Sequence, residues 1–171
     1  MNTFKINEKI LYGSVGACVI SEITQKTFGG QTTDYYVLVP LYKDHSTIYV
    51  PVNSQILCEK MRRMSDPEAL EALFEIGKDE ELQWEENKYT RRDTFNSILE
   101  KGCNRELFML VRLLLSKQAE LTSNGKRLHI SDERILIEAK RIIEDEFACV
   151  LNLPREDASE YIEKRANKQM A

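Results

Sequence analysis

The chain has 171 residues, of which 42% are hydrophobic and 30% are charged, and its net charge at pH 7 is −4. These values are typical of a water-soluble globular protein with one ordinary domain or two small ones. They argue against a protein that coats nucleic acid by bulk charge attraction, because such binding depends on cations that face phosphates.

Short segments rich in β-branched and aromatic residues fill the chain up to about residue 57 and predict strands. They cover residues 10–12, 16–20, 35–39 and 47–50. Gly29 and Gly30 stand where a hairpin turn is expected, and residues 43–46, with Asp44 and His45, form a polar connection before the last segment. Four or five short strands at this spacing predict a small antiparallel barrel or a strongly curled sheet.

Beyond about residue 57 the hydrophobic period becomes helical. Ser65 and Pro67 mark a helix start, which predicts a first helix over residues 66–76. Further helices are expected from near Thr90 or Asp93 to 101, over 104–121, from Ser131 to about 151, and over 154–167. Strands followed by helices predict an α+β chain of two domains, a β domain over residues 1–57 and an all-helical bundle over 65–171.

The sequence contains little that predicts catalysis. His45 and His129 have no second ligand at metal-binding spacing, and the two commonest phosphate-cradling glycine loops are absent. None of the four cysteines has Cys-x-x-Cys spacing, which fits buried thiols in a reducing compartment. No apolar run reaches the roughly 20 residues that cross a bilayer. We therefore expect a cytoplasmic, non-enzymatic protein without a cofactor, a metal or a membrane segment.

A single tryptophan lies in a mostly polar segment. Trp84 is followed by the cations Lys88, Arg91 and Arg92, with Tyr89 among them. An indole there can pack beneath the helical bundle, behind a solvated charged rim. It can also act as an apolar wedge in a nucleic-acid groove while the cations contact neighbouring phosphates. The residues by themselves leave both interpretations open.

The segments around residues 34–36 and 47–49 carry aromatic and β-branched side chains that can lie at a sheet edge. Exposed edges pair with strands of other proteins, which makes Tyr35, Ile48 and Tyr49 candidates for binding. The alternative is that the tyrosines only cover a small barrel.

An ordered set of motifs runs through both halves of the chain. The β-rich half contains the segments 4–12, 35–38 and 47–52, with Gly16 and Gly30 between them. The helical half contains Trp84, Arg91, Arg92, Phe95, Ile98, Leu99, Gly102, the segment 125–128, Asp132, Glu133 and the segment 146–148. With this set, residues 4–151 resemble the CarD/CdnL family of bacterial RNA polymerase-binding transcription regulators.

The resemblance implies a Tudor-like (SH3-like) small β barrel, shared with the polymerase-interacting domain of transcription-repair coupling factor, followed by a compact helical DNA-binding domain. It implies that the β domain docks on the β subunit of RNA polymerase by strand addition, and that Lys26 and Tyr49 fall at polymerase-contacting positions. It also implies an aromatic wedge in the minor groove at the upstream edge of the melted −10 region.

Two rings of this chain are candidates for the wedge. Trp84 is preferred because its larger rigid ring suits partial unstacking of a base step, and Tyr89 takes the position when the arginine pair is aligned tightly with relatives. Lys88, Arg91 and Arg92 are then contacts to the DNA backbone. Little sequence specificity is expected, because the minor groove carries a degenerate code and phosphates carry none.

Two other functions are compatible with the residues. A protein adaptor would use Trp84 as the hot spot of a helical surface. A small RNA-binding module would stack bases on the tyrosines of the barrel. For the transcription regulator we expect a monomer whose partners are RNA polymerase and promoter DNA.

Overall fold

A computed structural model describes residues 3–43 and 46–170, so that Asp44 and His45 of the predicted polar connection lie outside the described residues. The first half is a five-stranded antiparallel sheet with the spatial order β4-β3-β2-β1-β5. The strands are β1 (Lys9–Tyr12), β2 (Gly16–Phe28), β3 (Gln31–Pro40), β4 (Ile48–Pro51) and β5 (Met61–Arg63). A sheet of this kind followed by helices confirms the predicted α+β class, with a Tudor-like β half and a helical second half.

The hairpin between β2 and β3 is turned by Gly29 and Gly30, as predicted. Both glycines have positive φ, 58° and 79°, which suits a two-residue turn between strands with right-handed twist. The two strands pair along their length, with one irregularity of register after Ile20. The half of β2 nearest the turn is largely exposed. The hairpin therefore presents side chains to solvent beyond the body of the sheet.

The β half has a small core of its own, in which Phe4, Ile10, Ile20 and Leu38 are almost completely buried. β5 pairs with β1 at the second edge of the sheet. It lies within the segment that separates the two predicted domains. Three residues, two of them arginines, are too few to show the hydrophobic alternation by which a strand is predicted from sequence.

Within the described residues, six α-helices follow the first four strands, with β5 between the first two helices. They are α1 (Gln55–Cys58), α2 (Pro67–Ala72), α3 (Lys88–Lys101), α4 (Asn104–Ser123), α5 (Ile130–Val150) and α6 (Arg155–Met170). The helix predicted over residues 66–76 is shorter than expected, because it tightens into a 3₁₀ turn at Leu73–Glu75. The four long helices α3 to α6 lie where the periodicity places them.

The start of α3 differs from the prediction because Asn87 caps it. Its side-chain oxygen accepts hydrogen bonds from the backbone amides of Tyr89 and Thr90, at 3.0 and 3.2 Å. Such a cap satisfies amides that the first helical turn leaves unpaired. The helix therefore begins at Lys88 and holds Tyr89 in its first turn. In α5 the cap is His129 instead of Ser131.

Two arginines fasten the β half to the helical half. Arg62 of β5 donates two hydrogen bonds to the carboxylate of Glu146 in α5, at 2.9 and 2.8 Å. Arg141 of α5 donates to the carbonyl oxygens of Ser14 and Val15, which lie between β1 and β2. The main core also includes side chains from β1 and β2 beside those of the helices. Surfaces on the two halves are thus held at fixed positions relative to each other.

Candidate polymerase and nucleic-acid interfaces

Four side chains come together on one face of the sheet: Lys26 and Phe28 of β2, Tyr35 of β3 and Tyr49 of β4. The strand register places all four on the same side. The Lys26 ammonium lies 4.1 Å from the centroid of the Tyr49 ring. Tyr35 makes edge contacts with Tyr49 and Phe28, at centroid distances of 6.4 and 5.7 Å. We call this set the aromatic face.

The aromatic face borders an open edge of the sheet. β4 pairs only with β3 within the part of the chain that the structure describes, so its outer backbone groups can pair with another strand. Tyr49 is 41% exposed and Phe28 is 60% exposed. Ile48, predicted to bind beside Tyr49, points to the opposite face and packs against the β core. The backbone of Ile48 is therefore at the edge, while its side chain is partly buried.

Trp84 lies in the irregular segment before α3 and is half-buried against the main core. Its ring packs on Phe95 at a centroid distance of 6.4 Å. The Arg91 guanidinium lies 4.2 Å from the ring centroid, and the Lys117 ammonium lies 5.1 Å from it. The indole thus has cationic neighbours, as expected for a ring that faces nucleic acid, but part of its surface is covered by its own protein.

Tyr89 is exposed, in contrast to the half-buried Trp84: it lies at the start of α3 and is 60% exposed. The Lys88 ammonium lies 5.1 Å from the ring centroid and the Arg92 guanidinium lies 5.9 Å from it. Both cations are themselves exposed. The start of this helix therefore presents an accessible aromatic ring with two cations close to it. We call these three residues the α3 tip.

Arg91 does not share the exposure of its neighbours, because only 6% of its surface is accessible. Its guanidinium forms an ion pair with Asp132 of α5 and donates a hydrogen bond to the carbonyl oxygen of Glu85 at 2.7 Å. The guanidinium thus makes its hydrogen bonds within the protein. It is not accessible from solvent, as a group that contacts a DNA phosphate must be. Its spacing from Phe95 and Ile98 places it on the buried stripe of α3, a signal that was available in the sequence.

Sequence reasoning also missed Lys117. This residue of α4 lies more than thirty positions from Trp84 in the chain, yet its ammonium covers the indole and also binds the carboxylate of Glu120 at 3.1 Å. Nothing in the local pattern of α4 links it to the tryptophan. Only the packing of α4 against the segment before α3 brings them together.

Within residues 3–43 and 46–170 no group of three or more histidine, cysteine or acidic side chains is placed to hold a metal ion. Over the same residues no helix is both long and apolar enough to span a bilayer. The described acidic residues at the α3 tip and beside the aromatic face are engaged in caps or ion pairs, or lie in solvent.

Comparison with known proteins identifies the β half. No curated protein matches the chain. Residues 4–65 match the family model described as CarD-like/TRCF RID domain, a non-enzymatic protein-interaction domain. The match covers all five strands and ends before α2, so the resemblance proposed for the helical half stays a prediction. The match confirms the expected resemblance for the β half: residues 4–65 form a CarD-like RNA polymerase-interacting domain, which supports a transcription-associated protein that interacts with RNA polymerase.

Proposed function

We propose that this protein is a transcription regulator that binds the β subunit of RNA polymerase through its sheet and stabilises melted promoter DNA through the α3 tip. The observation that carries the proposal is the exposed Tyr89 ring between Lys88 and Arg92, on the same rigid molecule as a CarD-like domain. The domains proposed for these two tasks are the β domain, residues 1–57 with the added strand β5, and the helical domain from residue 65 onward.

The polymerase contact is proposed at the open edge of β4 and the adjoining aromatic face. Strand addition supplies backbone hydrogen bonds, and side chains beside the edge supply specificity. Tyr49 and Tyr35 offer ring surface, and Lys26 brings a cation to the same place. This combination suits a partner strand that carries an acidic or apolar side chain next to the new pair of strands.

The DNA contact is proposed with Tyr89 as the inserting ring, which reverses the preference for Trp84 drawn from sequence. A wedge must enter a base step, and the Tyr89 ring is accessible while Trp84 already packs on Phe95. Lys88 and Arg92 are the proposed phosphate contacts. Arg91 and Trp84 support the start of α3 from beneath and position the ring.

Such a contact acts through differential binding. The edge of a melted region offers an unstacked step that a closed duplex does not, so an inserted ring binds the open state better. A difference of about 1.4 kcal/mol moves the ratio of open to closed complexes tenfold. One ring with two phosphate contacts is enough for an effect of this size, and no catalytic group is needed.

The experiment that tests this function is the lifetime of open promoter complexes formed by RNA polymerase with each variant. We expect Tyr89→Ala to lose most of the stabilisation, and Tyr89→Phe, which keeps the ring, to retain it. Trp84→Phe should behave like the wild type. A normal lifetime with Tyr89→Ala would refute Tyr89 as the inserting ring, and a shortened lifetime with Trp84→Phe would then transfer the wedge to the indole.

A protein adaptor is the second candidate function, and exposed isoleucines favour it. Ile130 and Ile137 of α5 are 78% and 66% exposed and lie seven residues apart, on one side of the helix. Such a pair can receive an apolar surface of another protein. An adaptor would bind polymerase equally well with and without DNA, and Tyr89→Ala would leave open-complex lifetimes unchanged.

A further inference from the structure

A groove of about 840 Å³ lies between α3 and α5, next to the α3 tip. Arg92 and Leu99 line it from α3, Arg134 and Ile135 line it from α5, and Val15 closes it from the β half. Its floor is therefore apolar and two of its walls carry guanidinium groups. Arg92 belongs both to this groove and to the α3 tip, so the two surfaces are continuous.

The unpaired charge in the groove is positive. Arg134 is exposed and makes no ion pair within residues 3–43 and 46–170. Lys43 lines the same groove from the segment after β3, and Arg92 pairs with Asp93 at 3.6 Å. Of the two acids in the lining, Glu138 is neutralised by Arg141 at 2.9 Å, which leaves Glu100 as the opposing charge. A groove of this charge favours an anionic occupant, because anions are drawn to sites where cations converge.

The spacing along α3 fits an extended polyanion. Lys88, Arg92, Asn96 and Leu99 follow one another at intervals of four, four and three residues, which places them on one stripe of the helix. The stripe is about 16 Å long at 1.5 Å per residue. This is the length of about five nucleotides at 3.4 Å per nucleotide of one strand.

We propose that the groove binds the sugar–phosphate backbone of one DNA strand as it leaves the α3 tip, and that Arg134 is a DNA contact. The inference rests on the proposed function and extends its DNA site onto α5. The exposed side chain of Ile130, which also lines the groove, suits the faces of the sugars, and guanidinium and amide groups suit the phosphates. Lys43 makes the β half part of the same site.

The test measures binding of a fluorescent forked DNA to the complex of polymerase and this protein, over a series of salt concentrations. Arg134→Gln should lower affinity severalfold at low salt and reduce the slope of log affinity against log salt by about 1. Lys140→Gln, which removes a cation from α5 outside the groove, is the matched control and should leave both unchanged. Thermal unfolding checks that the exposed Arg134 can be replaced without loss of fold.

Lys88→Gln separates this inference from the proposed function. Loss of affinity with both Lys88→Gln and Arg134→Gln supports the groove, and backbone footprinting should then show that the two variants lose protection at different phosphates of the same strand. Loss with Lys88→Gln alone overturns the groove and leaves the α3 tip standing. No loss with either variant overturns both. If Arg134→Gln weakened polymerase binding in the absence of DNA, the groove would bind an acidic peptide and the proposal that it binds DNA would be overturned.

Discussion

Arg91 of α3 and Asp132 of α5 form a buried bidentate ion pair, in which two guanidinium nitrogens donate to the two carboxylate oxygens at 3.2 and 2.8 Å. Both side chains are almost fully inaccessible. The pair ties the first turn of α3 to the first turn of α5. It therefore fixes the position from which Tyr89 leaves the protein surface.

Removal of one partner should be costly. We expect Asp132→Ala to lower the free energy of unfolding by about 3–5 kcal/mol, because it leaves the Arg91 charge buried and unpaired. Urea denaturation measures the change. Asp93→Ala is the matched control, since Asp93 faces solvent and its ion pair with Arg92 is long, and it should cost at most about 1 kcal/mol.

The double replacement Arg91→Met with Asp132→Leu should regain much of that stability, because apolar side chains of similar volume often replace a buried ion pair without loss. It should still impair open-complex stabilisation if the pair orients the α3 tip. Full activity of the double variant would show that the ion pair has no orienting role.

A second ion pair, with Glu146 buried and Arg62 partly exposed, predicts how the two halves respond to mutation. Glu146 is 1% exposed, accepts two hydrogen bonds from Arg62 and one from the backbone amide of Ser65. We expect Glu146→Ala to lower the free energy of unfolding by about 3–5 kcal/mol. Glu160→Ala breaks the fully exposed pair with Lys164 and should have little effect. Similar losses for the two variants would contradict the assigned role of Glu146.

The polymerase interface gives a prediction on affinity. We expect Tyr49→Ala to weaken binding to RNA polymerase about tenfold, because it removes the ring that contacts both Lys26 and Tyr35 beside the open edge. Biolayer interferometry with immobilised polymerase measures the affinity. Ile56→Ala is the control on the β half, since Ile56 is an exposed side chain of α1 that is not part of the aromatic face. Equal affinity for both variants would move the interface elsewhere.

The thiol of Cys18 predicts a dependence of stability on pH. Burial, followed by the charge of Asp145, raises the pKa of Cys18 from the ordinary 9.0 to about 12. Between these values the unfolded chain loses the thiol proton while the folded chain keeps it, so stability is fully present below pH 9.0 and falls as the pH rises toward about 12.

Urea unfolding at about pH 8 and about pH 10.5 measures this effect. Cys18→Ala is less stable at both values because it removes packing, but its stability should fall less between them than that of the wild type. An identical fall would show that the Cys18 thiol does not titrate differently in the two states. Native-state alkylation should spare Cys18 for the same reason.

The sequence predicted those parts of the fold whose signals are local. Gly29 and Gly30 mark their own turn, and the long helices follow from periodicity. β5 escaped prediction because its three residues are stabilised by pairing with β1, which is distant in sequence. β5 also lies between residues 57 and 65, the segment in which the sequence places the domain boundary.

The candidate site was only partly predictable for a similar reason. Lys88, Tyr89 and Arg92 are exposed together because Asn87 caps the helix so that it starts at Lys88, before both predicted starts, Thr90 and Asp93. The helical pattern places Arg91 on the buried stripe of α3, but it does not reveal its partner Asp132, forty-one positions later, or the Lys117 ammonium that covers Trp84. Contacts between separate helices decide which ring is free, and no single helical pattern contains that information.

The ion pair between Arg62 and Glu146 fixes the distance between the polymerase-binding surface of the β half and the α3 tip of the helical half. If the aromatic face binds the polymerase and the α3 tip binds the edge of the melted DNA, the protein itself sets how many base pairs separate that edge from the enzyme. The degree to which the protein stabilises an open promoter complex then depends on where the duplex opens and how readily it recloses, and not on the bases at that position.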